Sequence, residues 1–210
     1  MTKYDTLNLH PFSVHQKVIQ LVGKQKRVLD VGCGTGSLAK EMNKNHCEVT
    51  GIELDDDSAD VAQMYCKVLI RGDVESIELD KEFYNYFDVI IFADVLEHLK
   101  DPSSVLKRFI KYLKDDGFLI ISLPNIANWR IRLKLLFGNF NYENHGILDE
   151  NHLRFFTKKN TIKLISNAGL RICKFDVIIG DVKSFKNVLY FIGILWPNLM
   201  AYQFLIIGRK

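Results

Sequence analysis

Short apolar runs alternate with helical stretches over the first 125 residues of the chain. Helical spacing of apolar positions is clearest at 102–114, where one face is apolar and Asp115, Asp116 and Gly117 are expected to end the helix. The runs that predict buried strands are 28–31, 48–52, 68–71, 87–93 and 118–123. This alternation predicts a parallel, doubly wound α/β sheet.

The pattern changes after residue 125. Residues 127–137 predict a helix, and a polar, aromatic loop follows up to residue 156. Thr157 is a typical N-cap of a further helix that ends at Gly169. Residues 170–179 predict a sixth strand. No linker marks a second domain, so we expect one domain over residues 1–210.

The chain opens with a predicted helix at residues 11–23. Pro11 suits a first helical turn, and Val14, Val18, Ile19 and Val22 recur at helical spacing. This helix either covers the site at the strand ends or packs on the sheet.

Residues 187–208 contain no charged side chain, a length that approaches a membrane span. Pro197, Asn198 and Gln203 interrupt the segment, which therefore predicts a core helix (185–195), a turn and a core strand (202–208) rather than a span. Peripheral contact with a membrane through this segment is the alternative.

Composition and charge narrow the function classes. A net charge of +3 gives no strong electrostatic signature of nucleic-acid binding. The N-terminus lacks the apolar core of a secretory signal. The cysteines are scattered, without a C-x-x-C pair, and this indicates reduced thiols in a cytoplasmic protein rather than a zinc site or disulfides. They are Cys33, Cys47, Cys66 and Cys173.

The stretch RVLDVGCGTG at residues 27–36 combines a buried strand, a tight glycine turn and the start of a helix. Ligands bind at such turns, beyond the carboxyl ends of strands. Its glycine spacing differs from the dinucleotide pattern G-x-G-x-x-G. An acidic residue, Asp30, before G-x-G-x-G resembles motif I of the class I S-adenosylmethionine (SAM) dependent methyltransferases.

Three more segments resemble later motifs of that family, in the right order: GIELD (51–55), FDVIIFADVLEHL (87–99) and LKDDGFLIISLPN (113–125). The resemblance implies a Rossmann-like, doubly wound, seven-stranded and mostly parallel sheet with an antiparallel C-terminal strand. It also implies a SAM-binding core at 27–125, a substrate-side insert at 126–156, and a C-terminal helix and strands at 157–210.

The resemblance implies a set of cofactor-binding residues at the strand ends. Asp30 and the backbone of the glycine loop would hold the methionine end, Glu53 the ribose and Asp73 the adenine. The plainer interpretations are a solvated strand end for Glu53 and a turn aspartate for Asp73. The full set is Asp30, Gly32, Cys33, Gly34, Gly36, Glu53, Leu54, Asp73, Val74 and Asp94.

Candidate bases for the acceptor lie in the insert. The segment HLRFFT at 152–157 resembles small-molecule methyltransferases that act on sugars and quinone precursors. The resemblance implies that His152 faces the acceptor, where a neutral imidazole takes a hydroxyl proton near pH 7. His145 is the second candidate. The alternative is that His152 is a structural hydrogen-bonding latch.

Asp94, Glu97 and His98 form D-x-x-E-H after the fourth strand and would share one helical face. The pattern is similar to the E-x-x-E-H metal motif of some O-methyltransferases, with His152 as a further ligand. Because V-L-E-H-L also occurs in methyltransferases without a metal, a metal-free site is favoured over a divalent cation.

The basic residues Arg130, Arg132 and Lys134 alternate with apolar ones and indicate an amphipathic helix with a solvated face. The alternative is a clamp for a phosphate or carboxylate of the acceptor. Aromatic residues would then line a pocket or belong to the core. They are Trp129, Phe137, Phe140, Tyr142, Phe155 and Phe156.

The resemblance therefore predicts an enzyme that transfers a methyl group from SAM to an oxygen of a small molecule, a hydroxylated metabolite or sugar precursor, and releases S-adenosylhomocysteine. The alternatives are an N- or C-methyltransferase, a quinone-pathway O-methyltransferase and a non-catalytic SAM-binding module. The strand end reads Ala93-Asp94-Val95-Leu96 and lacks N/D-P-P-Y, which argues against the nucleic-acid and protein N-methylating enzymes that carry it.

Overall fold

A computed structural model describes residues 10, 13–180 and 186–210, which contain one seven-stranded sheet in the order β3-β2-β1-β4-β5-β7-β6. Strands β1 to β5 are parallel, and β7 runs antiparallel to both β5 and β6. This confirms the predicted fold class. The strands are β1 (Arg27–Val31), β2 (Glu48–Glu53), β3 (Val68–Arg71), β4 (Phe87–Ala93), β5 (Leu113–Pro124), β6 (Arg171–Ile178) and β7 (Gln203–Arg209).

Helices lie on both faces of the sheet, and side-chain caps fix several of their first turns. Ser13, Asp101 and Thr157 each accept a hydrogen bond from the backbone three residues on. Pro11 lies outside the described residues. The helices are α1 (Val14–Val22), α2 (Ser37–Asn43), α3 (Asp56–Ala62), α4 (Pro102–Phe109), α5 (Trp129–Leu136), α6 (Lys158–Asn167), α7 (Lys186–Leu195) and α8 (Pro197–Met200).

The core has two layers, one on each face of the sheet. β4 contributes to both, because Val89 and Ile91 face the layer under α1 and α2 while Ile90 and Phe92 face the layer under α4 and α6. All four side chains are fully buried, as the continuous apolar run predicts for a strand covered on both sides. The predicted apolar face of α1 is also buried.

The helix predicted at 102–114 is shorter than expected. α4 ends at Phe109, one 3₁₀ turn covers 110–112, and β5 already begins at Leu113 and continues through the Asp-Asp-Gly segment. An added Cβ at Gly117 would lie 2.9 Å from the carbonyl oxygen of Asp88. Glycine therefore lets β5 approach β4 closely here, and the segment extends a strand instead of ending a helix.

The prediction for the C-terminal segment is correct for the helix and the strand, but the expected turn contains the short helix α8, and the environment of α7 was predicted wrongly. β7 is a core strand, whereas the expected core helix α7 leaves several large apolar side chains exposed, including Val188, Phe191 and Leu195. α7 packs on β6 through its other side, at Tyr190 and Gly193. In the described part of the chain, every helix is too short or too polar to cross a bilayer.

Candidate active site

The glycine loop between β1 and α2 is held in a conformation that suits glycine. Gly32, Gly34 and Gly36 have φ values of 68°, 54° and 74°, in the left-handed region that L side chains rarely adopt. A Cβ at Gly36 would lie 3.0 Å from the Cα of Ala62. The amides of Gly32 and Cys33 both donate to the carbonyl of Ile52 at the end of β2. The loop is therefore anchored to the neighbouring strand.

Asp30 lies beneath this loop and is 1% exposed. Its Oδ2 has no hydrogen-bond partner among the described residues. Burial, and then the nearby Glu53 carboxylate, raise the pKa of Asp30 to about 7. A buried carboxyl group with an open acceptor atom fits a cationic ligand such as the ammonium group of SAM.

Glu53 ends β2 and turns toward the glycine loop. Its Oε2 accepts a hydrogen bond from the amide of Gly34 (2.7 Å), and its Oε1 accepts from the amides of Leu54 (2.8 Å) and Asp55 (2.9 Å). Oε2 keeps a second lone pair for a ligand hydroxyl. The orphaned carboxyl oxygen of Asp30, the positive-φ glycines and this carboxylate together fit the cofactor that the sequence implies.

Asp73 follows β3 at the same edge of the sheet as Glu53. Its Oδ1 accepts from the amide of Glu75 at 2.8 Å, so the side chain caps a turn. The carbonyl of Val74 accepts a hydrogen bond from Arg108. Contact of Asp73 and Val74 with adenine stays a prediction. Leu54, the residue after Glu53, is 67% exposed, and its contact with the cofactor also stays a prediction.

Asp94 follows β4 with a φ of 57°, a strained conformation for a non-glycine residue. Its Oδ1 accepts from the hydroxyl of Ser122 (2.9 Å) and from the amide group of Gln203. Burial raises the pKa of Asp94, and Ser122 and the imidazole of His15 partly offset this shift. Sequence reasoning missed Ser122 and Gln203, although each is a polar residue in an apolar strand.

His152 is positioned by the backbone of the insert. Its Nδ1 lies 3.1 Å from the carbonyl oxygen of Ile147, so Nδ1 carries the hydrogen in the neutral ring. The lone pair is then on Nε2, which lies 4.0 Å from Oε1 of Glu97. Burial is the largest influence on His152 and lowers its pKa. The neutral ring therefore presents an acceptor nitrogen toward Glu97.

Glu97, His98 and His152 form one group, with a ligand-capable atom from each within 4.8 Å of the others. Glu97 is 1% exposed and its Oε2 has no hydrogen-bond partner among the described residues. Burial, and then the charge of Asp94, raise the pKa of Glu97 well above its usual value. Two imidazoles and a carboxylate with an orphaned oxygen fit a divalent cation such as Zn²⁺ or Mn²⁺.

Asp94 is outside this group, unlike in the four-residue metal site that the sequence offered as the less favoured alternative. The expected helical face does not form, because Leu96–His98 is a single 3₁₀ turn and Asp94 precedes it in a left-handed conformation. The structure instead joins Glu97 to the insert, since its carbonyl accepts from the amides of Leu153 and Arg154.

Most of the other candidates in the insert are exposed. His145 is exposed on the loop. Arg130, Arg132 and Lys134 are exposed on α5, and Lys134 pairs with Glu143. Among the aromatic residues Phe156 is buried, and Phe155 is partly buried in contact with the ring of His152. The exposed aromatic residues of the insert are Trp129, Phe137, Phe140 and Tyr142.

Comparison with known proteins identifies the family of the chain. The family described as "Methyltransferase domain" matches residues 12–174. A ubiquinone biosynthesis O-methyltransferase of Shewanella halifaxensis is 34% identical over 137 residues, which are 62% of this chain and 57% of that protein. The chain thus spans little more than half the length of that relative. The corresponding enzyme of Shewanella pealeana is 31% identical over 175 residues, 80% of this chain and 72% of that protein.

Among solved structures, a SAM-dependent methyltransferase from Thermotoga maritima superposes with a TM-score of 0.67 at 17% identity, covering 95% of this chain and 88% of that one. This likeness supports the fold. The family match over most of the chain shows that the protein belongs to the methyltransferase-domain family.

Proposed function

We propose that the protein transfers the methyl group of SAM to an oxygen of a small-molecule acceptor held between the strand ends and the insert at 126–156. The observation that carries the proposal is His152, whose Nδ1 faces the Ile147 carbonyl and whose Nε2 lone pair is thereby presented beside Glu97. The relatives named O-methyltransferases support transfer to oxygen.

The cofactor supplies a methyl group on a positively charged sulfonium, which is already a good electrophile. Asp30 would pair with the ammonium group of the methionine end, and Glu53 would accept from the ribose hydroxyls. Asp73 and Val74 would border the adenine. The glycine loop lets the ligand approach the backbone closely. These residues bind and orient, and orientation alone accounts for up to ~7–11 kcal/mol of the barrier in well-aligned reactions.

His152 would take the proton of the acceptor hydroxyl on Nε2. Ile147 fixes the ring and its tautomer, and burial keeps the ring neutral and able to accept. Asp94, held by Ser122 and Gln203, would border the methionine moiety and close the site from the β4 side.

Replacing His152 tests this role. We expect His152→Ala to lower kcat by ~10²–10⁴-fold, the usual contribution of a general base, with little change in SAM affinity by calorimetry. The assay measures S-adenosylhomocysteine release over sugars, nucleotide sugars, phenols and lipid-linked precursors. A comparable loss in His145→Ala, with His152→Ala active, would assign the base to His145.

A second candidate is metal-assisted transfer, favoured by the group of Glu97, His98 and His152. These residues would hold the cation, and it would supply charge stabilisation for an acceptor oxygen. After loading with ZnCl₂ or MnCl₂ and desalting, elemental analysis should find bound metal in the native chain and none in Glu97→Gln. Metal-free protein with full turnover in EDTA would remove this candidate.

We also propose a cytoplasmic location. The four cysteines are free thiols in the structure, as expected in a reducing compartment.

A further inference from the structure

The outer face of α7 and the residue after it form an exposed apolar surface, here named the α7 face. Its members are all more than half exposed, and Val188, Phe191 and Leu195 recur at helical spacing. Scattered exposed apolar residues are ordinary, but a continuous group of this kind indicates an interaction surface. The α7 face comprises Val188, Phe191, Ile194, Leu195 and Trp196.

The opposite side of α7 is already used inside the molecule. Gly193 is buried against Ile179 and Val177, where an added Cβ would lie 2.3 Å from Ile179. The hydroxyl of Tyr190 donates to Asp176 of β6 at 2.6 Å. α7 is therefore fixed on the sheet with one orientation, and this orientation turns the α7 face outward.

The α7 face borders a cleft of about 430 Å³ with two cations in its walls. Arg132 comes from α5 and Lys158 from the first turn of α6, while Leu195, Trp196 and Pro197 provide apolar lining. Among the residues that the structure describes, none of those lining the cleft is acidic, and the sequence has no acidic residue from 182 to 210. The surface thus combines large apolar side chains, including a tryptophan, with the positive charges of Arg132 and Lys158.

We propose that the α7 face docks on the surface of an anionic phospholipid bilayer. The apolar side chains would enter the boundary between headgroups and acyl chains, and Trp196 would lie at headgroup depth, where its ring is favoured. Arg132 and Lys158 would pair with lipid phosphates at the mouth of the cleft. At ten residues, α7 lies on the membrane and does not cross it.

Charge distinguishes this partner from a second copy of the chain. In a twofold contact each surface meets its own equivalent, so the cations of Arg132 and Lys158 would face like charges, with no carboxylate among the described residues that line the cleft. A bilayer containing anionic lipid supplies the opposite charge together with an apolar phase. Both properties of the surface are then satisfied by one partner.

Vesicle flotation of the full chain tests the proposal. With phosphatidylcholine vesicles containing one third phosphatidylglycerol, we expect the protein to float at low salt, and binding to fall roughly tenfold or more at 0.5 M NaCl, where the Debye length falls below ~5 Å. Pure phosphatidylcholine should bind it weakly. The double variant Phe191→Ser, Trp196→Ser should lose binding by at least about tenfold.

Met64→Ser is the matched control. Met64 is 69% exposed and lies between α3 and β3, and β3 is the edge strand opposite β6. It should float as the native chain does. Circular dichroism verifies that each variant is folded. In a Trp129→Phe background, Trp196 is the remaining tryptophan, and its emission should shift to the blue with anionic vesicles.

Two results would overturn the proposal. One is a protein that stays in the aqueous fraction with every vesicle and shows no shift in Trp196 emission. The other is a concentration-dependent dimer in sedimentation that the Phe191→Ser, Trp196→Ser variant abolishes while vesicles bind neither protein. That outcome would assign the α7 face to self-association.

Discussion

At the scale of the residue, we expect the buried carboxyl group of Asp30 to make cofactor binding depend on pH. Its pKa of about 7 means that the group is largely protonated at pH 6 in the ligand-free protein. Pairing with an ammonium group requires the ionised form. We therefore expect the SAM association constant from calorimetry to rise about tenfold per pH unit below 7 and to level off above it.

An affinity for SAM that is constant between pH 5.5 and 8 would contradict this role of Asp30. Proton release on binding, measured in buffers of different ionisation enthalpy, gives an independent check, because Asp30 should release close to one proton at pH 6 and less as the pH rises through 7.

The same group should make the ligand-free protein less stable as the pH rises. The folded pKa is about 7 and the unfolded one about 3.9, so the folded state binds more protons between these values. The contribution of Asp30 to stability is thus fully present below pH 4 and is lost as the pH rises through 7. In urea denaturation at pH 8 we expect Asp30→Asn to be more stable than the native chain by on the order of 2 kcal/mol, yet unable to bind SAM tightly.

Equal stability of Asp30→Asn and the native chain at both pH 5 and pH 8 would argue against the raised pKa. Such an exchange of stability for binding is expected where a charge is buried for function.

From spacing alone, individual site residues were predictable only where they are close in the chain, and His152 was placed with Glu97 and His98 through the resemblance. Asp30 and the loop Gly32–Gly36 are neighbours in the chain, and Glu53 lies at the end of the next strand. The partners of Asp94 were not predictable, because Ser122 and Gln203 are 28 and 109 residues away. His98 and His152 meet only because the insert folds back onto the 3₁₀ turn after β4.

At the scale of the element, the junction between β1 and α2 depends on how closely α3 approaches the glycine loop. Gly34 and Gly36 share a left-handed conformation, but a Cβ at Gly34 meets no protein atom within 4 Å, whereas one at Gly36 meets the backbone of Ala62. We expect Gly34→Ala to cost about 1–2 kcal/mol of unfolding free energy from backbone strain alone. Gly36→Ala should cost a further ~1–3 kcal/mol from overpacking.

Urea denaturation of the two variants measures this difference, and each serves as the control for the other. Equal losses would mean that the contact with Ala62 relaxes at no cost.

The periodicity of apolar positions predicted most elements, because burial on one or both faces imposes it. Periodicity does not show whether an apolar helix is covered on both sides in the folded chain. α7 has the hydropathy of a core helix, but its inner side packs at the edge of the sheet, on β6, and its outer face stays exposed.

At the scale of the whole molecule, Asp176 connects elements from the two ends of the chain. It pairs with Lys17 of α1 at 2.9 Å and accepts from Tyr190 of α7 at 2.6 Å. Burial alone would raise the pKa of Asp176, but Tyr190, Lys17 and the amide of Val177 hold it below its usual value. A carboxyl group whose pKa is lowered by folding stabilises the fold above pH 4. This stabilisation is lost as the pH falls through the pKa of the folded state.

We expect Asp176→Asn to lower the unfolding free energy by about 2 kcal/mol at pH 7, less than the ~3–5 kcal/mol of a fully buried pair. The deficit should shrink as the pH falls below 4. The measurement is urea denaturation between pH 3 and pH 7. The control is Glu48→Gln, which removes the exposed ion pair of Glu48 with Lys67 and should be as stable as the native chain. A deficit that stays constant down to pH 3 would show that the charge of Asp176 is not its cause.

The position of β7 between β5 and β6 has a consequence for biosynthesis. β6 hydrogen-bonds to no strand but β7 in the described sheet, and β7 is translated after β6 and α7. While β7 is still inside the ribosomal tunnel, the nascent chain must hold β6 and its apolar residues without their partner. Pairing of β6 therefore waits until β7 has left the tunnel, and a premature stop codon before residue 203 would leave β6 without its partner strand.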